Sequence, residues 1–350
     1  MKFENLILYP VNLRLFDGEN TPVINTTASE GLTNEMKTFY SDYLIEMAEA
    51  KLVHSQFGQK KPIPKNGGKS VEFRKYDPLP KITTPLVEGT TPNGQSLNVG
   101  IVTAGVHQYG GFVELTDMLL LTAIDNNLAQ ATKLLGSQAG RTLDTITREV
   151  LNTTGNVMFW NDTLGGRDEV AAETANAPHH LTVDCIRRAV RRLKNMNAEP
   201  IDDSFVAIIH PDCAYDLMSD PEWKYPHQYK DTENIYNGEI GKIAGVRFVE
   251  TTEAKIWAKG SMWHNGESDV SIARAVYSTL VIGDNAYGVV DIQGGGLEHI
   301  VKQLGSAGTA DPLNQRATAG WKATHAAVIL VEPYMVRIET TSTFDTDVAN

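Results

Sequence analysis

Any chemistry in this chain has to start from a few side chains. His210, Asp212 and Cys213 lie close together. An imidazole beside a thiol can act as a nucleophile pair, with His210 taking the proton and Cys213 attacking as a thiolate. The sequence offers no third group to orient the base, so the other reading is a structural histidine capping a strand. His179-His180 and His299 are further candidate bases or ligands. No two histidines stand four apart, the spacing that puts both on one helix face for zinc. Asn66-Gly-Gly-Lys-Ser70 ends like a phosphate loop. The glycine that motif needs is replaced by Ile63, and Pro62 and Pro64 break the strand and helix around it. A turn is the expectation there, and a tight loop at Gly294-Gly-Gly296. No carboxylate pair stands out as an acid–base couple, no Gly-x-Ser-x-Gly elbow occurs, and no cofactor is expected.

One charge cluster stands apart. Arg187, Arg188, Arg191, Arg192 and Lys194 fall on one helical stretch, with 187/191 and 188/192 forming adjacent ridges. Such a patch could meet nucleic acid or an acidic partner. A solvated face, or salt bridges to a neighbouring subunit, is the simpler expectation. No aromatic residues interleave with the arginines to stack on bases.

The elements that must position these residues are unevenly spread. Residues 1–30 read as an extended arm. Thr33 is a candidate cap for a helix running toward Val53, with Met36, Phe39, Tyr40, Tyr43, Leu44 and Met47 at helical steps. Glycines and prolines punctuate 58–112 and exclude helix from most of it. Ser70–Tyr76 alternates, and its expected partner is 106–115, with Gly110-Gly111 marking a bulge or close approach. That makes an extended hairpin with too little core of its own, expected to pack on something else. Thr116 caps a helix over 116–152, about 55 Å long at 1.5 Å per residue. Gly136 and Gly140 interrupt it as a bend or a close-packing point. A compact α/β unit follows: a helix over 182–196, a strand Phe205–Ile209, a helix over 211–218 with proline at its start, and strands at Val246–Glu250 and 279–282. The stretch 238–245 reads as a turn. A last long strand over 326–340 is broken by Pro333.

Composition narrows the classes. The chain has 350 residues and is 41% hydrophobic and 21% charged, enough for a sizeable core. Its net charge is −12, so it will not coat DNA non-specifically. Cys185 and Cys213 are too few for a disulfide scaffold and read as free thiols in a reducing compartment. The longest apolar runs, 118–123 and 326–331, fall far short of the roughly 18–20 residues that span a bilayer. No signal-peptide core is expected in the first residues.

Several ordered runs carry a resemblance. They are Gln56-Phe-Gly-Gln59, Pro64-Lys-Asn-Gly-Gly-Lys69, Leu86-Val-Glu-Gly89, Gln108-Tyr-Gly-Gly111 and Leu115-Thr-Asp117 in the first half. His210-Pro-Asp212, Asp220-Pro-Glu-Trp223, Gly238-Glu-Ile-Gly241 and Gly245-Val-Arg247 follow. The most specific is Gly305-Ser-Ala-Gly-Thr-Ala-Asp-Pro-Leu-Asn-Gln-Arg316 with Gly320-Trp-Lys322. In this order, over roughly 30–340, the chain resembles the major capsid proteins of tailed bacteriophages, in particular the N4-like family.

That resemblance implies an α+β, HK97-like capsid fold. Residues 1–57 would be the N-terminal arm and first helix, and 58–112 an extended β-hairpin loop lying over a neighbour. Residues 113–179 with 321–350 would be a peripheral domain containing the long spine helix 116–152, and 180–320 an axial domain. Pentamers and hexamers would close an icosahedral head shell, the virion capsid, around double-stranded DNA held without sequence specificity. Further expected partners are a portal and a decoration protein, with assembly in the bacterial host cytoplasm and no membrane. The short arm leads us to expect a separate scaffolding protein. Subunit contacts are expected at Lys69, Phe73, Arg74, Glu88, Tyr109, Arg187, Arg191 and Trp223, and a helix bend at Gly136 and Gly140. A covalent crosslink through Lys60, Lys61, Lys65, Lys69, Lys75 or Lys81 is not expected, since lysines there serve solubility. The alternatives are an encapsulin-like compartment shell, an α/β enzyme using His210 and Cys213, and a tail-tube or baseplate protein.

Overall fold

The computed structural model describes residues 24–25, 53–76, 79–85, 88–89, 91, 93–123, 127–161, 163–174, 178–228, 241–264, 268–290, 297–306 and 311–350. The helix expected from Thr33 toward Val53, Gly294-Gly-Gly296 and the start of the 238–245 turn lie outside the described residues.

The first half carries β1 (Ile24–Asn25), β2 (Gln59–Lys60), β3 (Ser70–Tyr76), β4 (Val99–Gly105) and β5 (His107–Thr116). Then come α1 (Asp117–Thr122), α2 (Asn127–Leu151), β6 (Val157–Phe159), α3 (Arg167–Ala171) and α4 (Val183–Asn195). The middle holds β7 (Phe205–Ile209), α5 (Pro211–Ser219), α6 (Pro221–Gln228), β8 (Lys242–Ile243), β9 (Val246–Glu250) and β10 (Ile256–Trp257). The remainder is β11 (Met262–His264), β12 (Asp269–Ser271), β13 (Val276–Ile282), β14 (Tyr287–Val290), β15 (Glu298–Lys302), β16 (Arg316–Ile329) and β17 (Met335–Thr340). Helices and strands mix in the α+β manner, with strands dominating. Among the described residues, no helix is long and apolar enough to cross a membrane.

The chain divides into two compact units. One comprises Met1–Glu46, Gly111–Leu135 and His299–Gly320; the other Met47–Gly110, Gly136–Glu298 and Trp321–Asn350.

In the first unit, β1 runs parallel to the end of β5, with Ile24 opposite Glu114. The Thr116 hydroxyl accepts from the Leu119 amide, so the expected cap is in place. Leu115 and Leu119 are buried, and the Asp117 amide donates to the Gln315 carbonyl. The single helix expected over 116–152 is not formed. Ala123 is extended, with φ −71° and ψ 139°, and closes α1 after six residues. Apolar spacing alone does not register this break, because Ala is an excellent helix former.

The second unit is built on a seven-stranded sheet of order β6-β17-β13-β7-β9-β8, with β10 paired to β13. β7 lies between antiparallel β13 and parallel β9 and is buried along its whole length. A strand covered on both faces reads as an unbroken apolar run, which is why Phe205–Ile209 is legible in sequence. α4 turns Val183, Cys185, Ile186, Ala189, Val190 and Leu193 onto this sheet, capped by the Thr182 hydroxyl. Burying each large aliphatic side chain contributes about 1.5–3 kcal/mol.

Two strand expectations are corrected. Ser70–Tyr76 pairs with Val99–Gly105, Ser70 opposite Gly105 and Tyr76 opposite Val99, rather than with 106–115. Val106 ends the ladder by donating its amide to the Lys69 carbonyl, and β5 begins after it. The strand expected over 326–340 is broken at Pro333 as read, but it begins earlier. β16 starts ten residues earlier, at Arg316, and ends at Ile329, and a short 3₁₀ turn at Glu332–Tyr334 carries Pro333. β17 then joins β13 in the seven-stranded sheet, Tyr277 opposite Thr340. The domain boundary drawn at 320/321 thus separates β17 from β7 and β13, with which it shares a sheet. The close approach expected at Gly110-Gly111 is present: a Cβ on Gly110 would stand 2.7 Å from the Trp321 carbonyl oxygen.

Candidate assembly surface

The stretch 58–112 is anchored at its base and uncovered beyond it. Asn66 and Gly68 take positive φ (69° and 96°), and the Gly67 amide donates to the Pro64 carbonyl at 2.8 Å. This is the turn read from the sequence, and a strand, β3, follows it where a phosphate loop needs a helix. Ile63 and Phe73 are buried with Ala104, Val290 and Ala326. A Cβ on Gly288 would lie 2.8 Å from the Phe73 ring, so the missing side chain is the socket into which Phe73 fits. Lys61 sits 5.2 Å from the centroid of the same ring.

Past Phe73 the hairpin has no cover among the described residues. Directly opposed residues share a face of a two-stranded ribbon. Arg74 and Tyr76 oppose Ile101 and Val99, and all four are exposed. Tyr76, Ile82, Leu97 and Ile101 are 61%, 73%, 69% and 58% exposed. An isolated two-stranded hairpin is at best marginal in water, and apolar residues collected on one mark an interaction surface.

The expected contact residues fall into distinct places. Lys69, Arg74 and Glu88 are exposed on the loop and Tyr109 is half-buried on β5. Arg191 is exposed on α4; Arg187 is exposed beside it and pairs with Glu222 at 2.7 Å. Arg188 pairs with Asp184 along the helix, and Arg192 donates to the Val157 carbonyl. The arginine cluster is therefore largely engaged within the chain.

Phe73 and Trp223 are corrected as contact residues. Phe73 fills its own hydrophobic socket, and Trp223 packs edge-on against Phe248, 5.5 Å between centroids, inside the main core. Large rings gain more from their own core than from a rim. Gly136 and Gly140 both lie within the continuous helix α2.

The His210–Cys213 region is a structural corner. His210 caps α5, its Nδ1 accepting from the Asp212 amide at 3.2 Å, and its ring leans on Tyr277. Burial lowers the His210 pKa, against the opposing pull of the Asp212 carboxylate. The Tyr277 hydroxyl donates to Asp212 at 2.8 Å. Cys213 is fully buried, and burial together with the nearby Asp216 carboxylate pushes its thiol far up. A thiol held protonated cannot serve as the nucleophile. In the native chain Cys213 is expected to stay inert to an aromatic disulfide reagent at pH 8 and to react only on unfolding; fast labelling of the folded chain would contradict this. Among the described residues, no group of histidine, cysteine or carboxylate side chains could hold a metal ion.

Sequence reasoning missed the polar groups that hold the body together. Arg167 donates from Nε and Nη2 to both oxygens of Glu339, at 2.9 and 2.8 Å. Arg337 reaches the same carboxylate at 3.0 Å, and all three side chains are buried. Arg167 lies over Trp257 and Trp263, 3.4 and 4.2 Å from their centroids. His54 bonds Asp144 twice, through its amide at 2.8 Å and its Nδ1 at 2.7 Å, fixing the segment before the loop to α2. Partners separated by 172 and 90 positions leave no local signal.

The family model for phage capsid protein matches residues 101–338, about two thirds of the chain. The chain belongs to this family.

Solved structures agree with that assignment. The capsid of cyanophage P-SCSP1u matches with a TM-score of 0.64 at 14% identity, covering 93% of this chain and 100% of that one. The capsid of Ralstonia phage GP4 matches with 0.62 at 14% identity, covering 91% and 99%. The cyanophage Pam1 capsid matches with 0.62 at 14% identity, covering 88% and 95%. None of the curated proteins matches in sequence. The fold is the HK97-like fold of phage capsids, and the chain is a major capsid protein that forms the head shell, a structural role.

Proposed function

We propose that the capsid protein assembles as pentamers and hexamers into an icosahedral shell around phage double-stranded DNA, each subunit laying its loop over a neighbour. The observation that carries this reading is the hairpin beyond Phe73 and its tip, with Tyr76, Ile82, Leu97 and Ile101 left exposed among the described residues. Specific interfaces bury about 1,200–2,000 Å² each, and several per subunit add up to a stable shell. The net charge of −12 suits a wall that must not adhere to packaged DNA. On this reading Lys69, Arg74, Glu88, Tyr109, Arg187 and Arg191 face neighbouring subunits. Assembly takes place in the host cytoplasm with a separate scaffolding protein, a portal and a decoration protein. The domain roles follow the same reading: an arm, a loop, a peripheral domain with the spine helix and an axial domain at the capsomer centre.

Size-exclusion chromatography with negative-stain microscopy tests the proposal. Closed angular particles, or free pentamers and hexamers, are expected. A monomer or dimer that never assembles, with scaffold and at high concentration, would overturn it.

The same reading gives α2 a mechanical part. Gly136 and Gly140 would let the spine helix bend as the shell matures. Gly136→Ala with Gly140→Ala should stabilise the straight helix by up to about 2 kcal/mol and slow expansion. Unchanged expansion kinetics in the double variant would remove the hinge.

A further inference from the structure

Charge is distributed unevenly along this chain. Residues 58–112 carry seven basic and three acidic residues, while the rest carries 24 basic and 40 acidic, so a loop of +4 sits on a body of −16. The seven cations are the six loop lysines named above and Arg74. All are exposed, and among the described residues none makes an ion pair in its own chain. Outside the loop the described cations are mixed: Arg148, Arg167, Arg187, Lys255, Arg274 and Lys322 pair with carboxylates, while Lys133, Arg141, Arg191, Lys194 and Lys302 are exposed and make no ion pair among the described residues.

We propose that the loop docks on a second copy of this chain as an electrostatic clasp, with Lys69, Arg74 and Lys75 meeting carboxylates of the acidic body, so that ionic strength controls assembly. The inference rests on the reading that the loop lies over a neighbour, and adds what recognises it there. Every copy brings both halves of the match, the cationic ribbon and the acidic body. The partner is a subunit rather than nucleic acid because Arg74 shares its face with exposed Tyr76, Val99 and Ile101. A phosphate backbone offers carboxylate-like charge but nothing to cover that apolar surface. Such complementarity sets register and encounter rate, and suppresses wrong pairings. Exposed pairs are screened as the Debye length falls from about 8 Å at 0.15 M salt to about 3 Å at 1 M.

Two measurements on the full-length chain test the clasp. In the first, Lys69→Glu, Arg74→Glu and Lys75→Glu are combined and assembly is followed by light scattering across a salt series. The expected result is an association about tenfold weaker at 0.05 M salt, with the difference from the parent collapsing by 1 M. An equal deficit at every salt concentration, or none at any, overturns the clasp. In the second, assembled particles are treated with a zero-length carbodiimide, which joins amines only to carboxylates they touch. Peptides joining Lys69 or Lys75 to a carboxylate of another subunit are expected in empty and filled shells alike. If a longer amine–amine reagent links the loop to a neighbour but the carbodiimide does not, the docking reading stands and the clasp fails. If neither links it to a neighbour, both fail. Protection of these lysines in DNA-filled shells only would assign them to nucleic acid and overturn the clasp.

Discussion

Replacing Glu339 with Ala is expected to destabilise the unassembled chain by about 3–5 kcal/mol, measured by urea unfolding. Glu339 is fully buried and accepts from Arg167 bidentately and from Arg337. Without it, two guanidinium groups remain in a site that strips their water. Burial already lowers the Arg337 pKa despite the carboxylate beside it. Total stability for a domain is typically about 5–15 kcal/mol, so a loss on this scale leaves little margin. Arg167→Lys should not substitute well, because the planar guanidinium both forks onto Glu339 and stacks over Trp257 and Trp263. Replacing Arg167, Arg337 and Glu339 together by Met, Met and Leu should cost much less than removing Glu339 alone, since no uncompensated charge remains. A loss below about 1 kcal/mol for Glu339→Ala would show that the network contributes little.

The second large effect falls on assembly and spares the fold. Tyr76→Ser, Ile82→Ser, Leu97→Ser and Ile101→Ser together change residues that are mostly exposed. Exposed substitutions of this kind usually stay within about 0.5 kcal/mol each. Fully burying one such side chain is worth about 1.5–3 kcal/mol. Four of them, partly buried under a neighbour, give about 4–6 kcal/mol per contact, or at least a thousandfold in association. The variant should unfold at the parent's urea midpoint and sediment as free subunits where the parent forms shells. Normal shells at the parent's concentration would show that the loop tip is not part of the contact. Comparing the two variants separates the roles: Glu339 acts on the fold of the subunit, and the loop tip on the contact between subunits.

The sequence by itself determined the features that neighbouring residues decide. Thr182 caps α4 and His210 caps α5 because the capped amides lie three and two positions away. Phe205–Ile209 is a strand because its apolar run needs cover on both faces. The turn at Asn66–Gly68 follows from residues that tolerate positive φ. That the described residues of 58–112 hold no helix was legible from proline and glycine alone. The ordered motifs carried the family.

Tertiary structure alone decided the rest. Residues 99–105 and 106–115 are both acceptable partners for Ser70–Tyr76, and the choice falls to the ladder in which Phe73 enters the gap over Gly288. Ala123 ends α1 against its own helix propensity, and β16 reaches back to Arg316, ten residues before the start read from the sequence. Phe73 and Trp223 look like surface anchors in sequence, and are core because residues far along the chain close around them. Glu339 is one carboxylate among many until folding brings Arg167 and Arg337 onto it. Caps and turns are set by contacts a few residues apart; strand pairing, burial and buried charge are set by contacts a hundred or more residues apart, which no local pattern encodes.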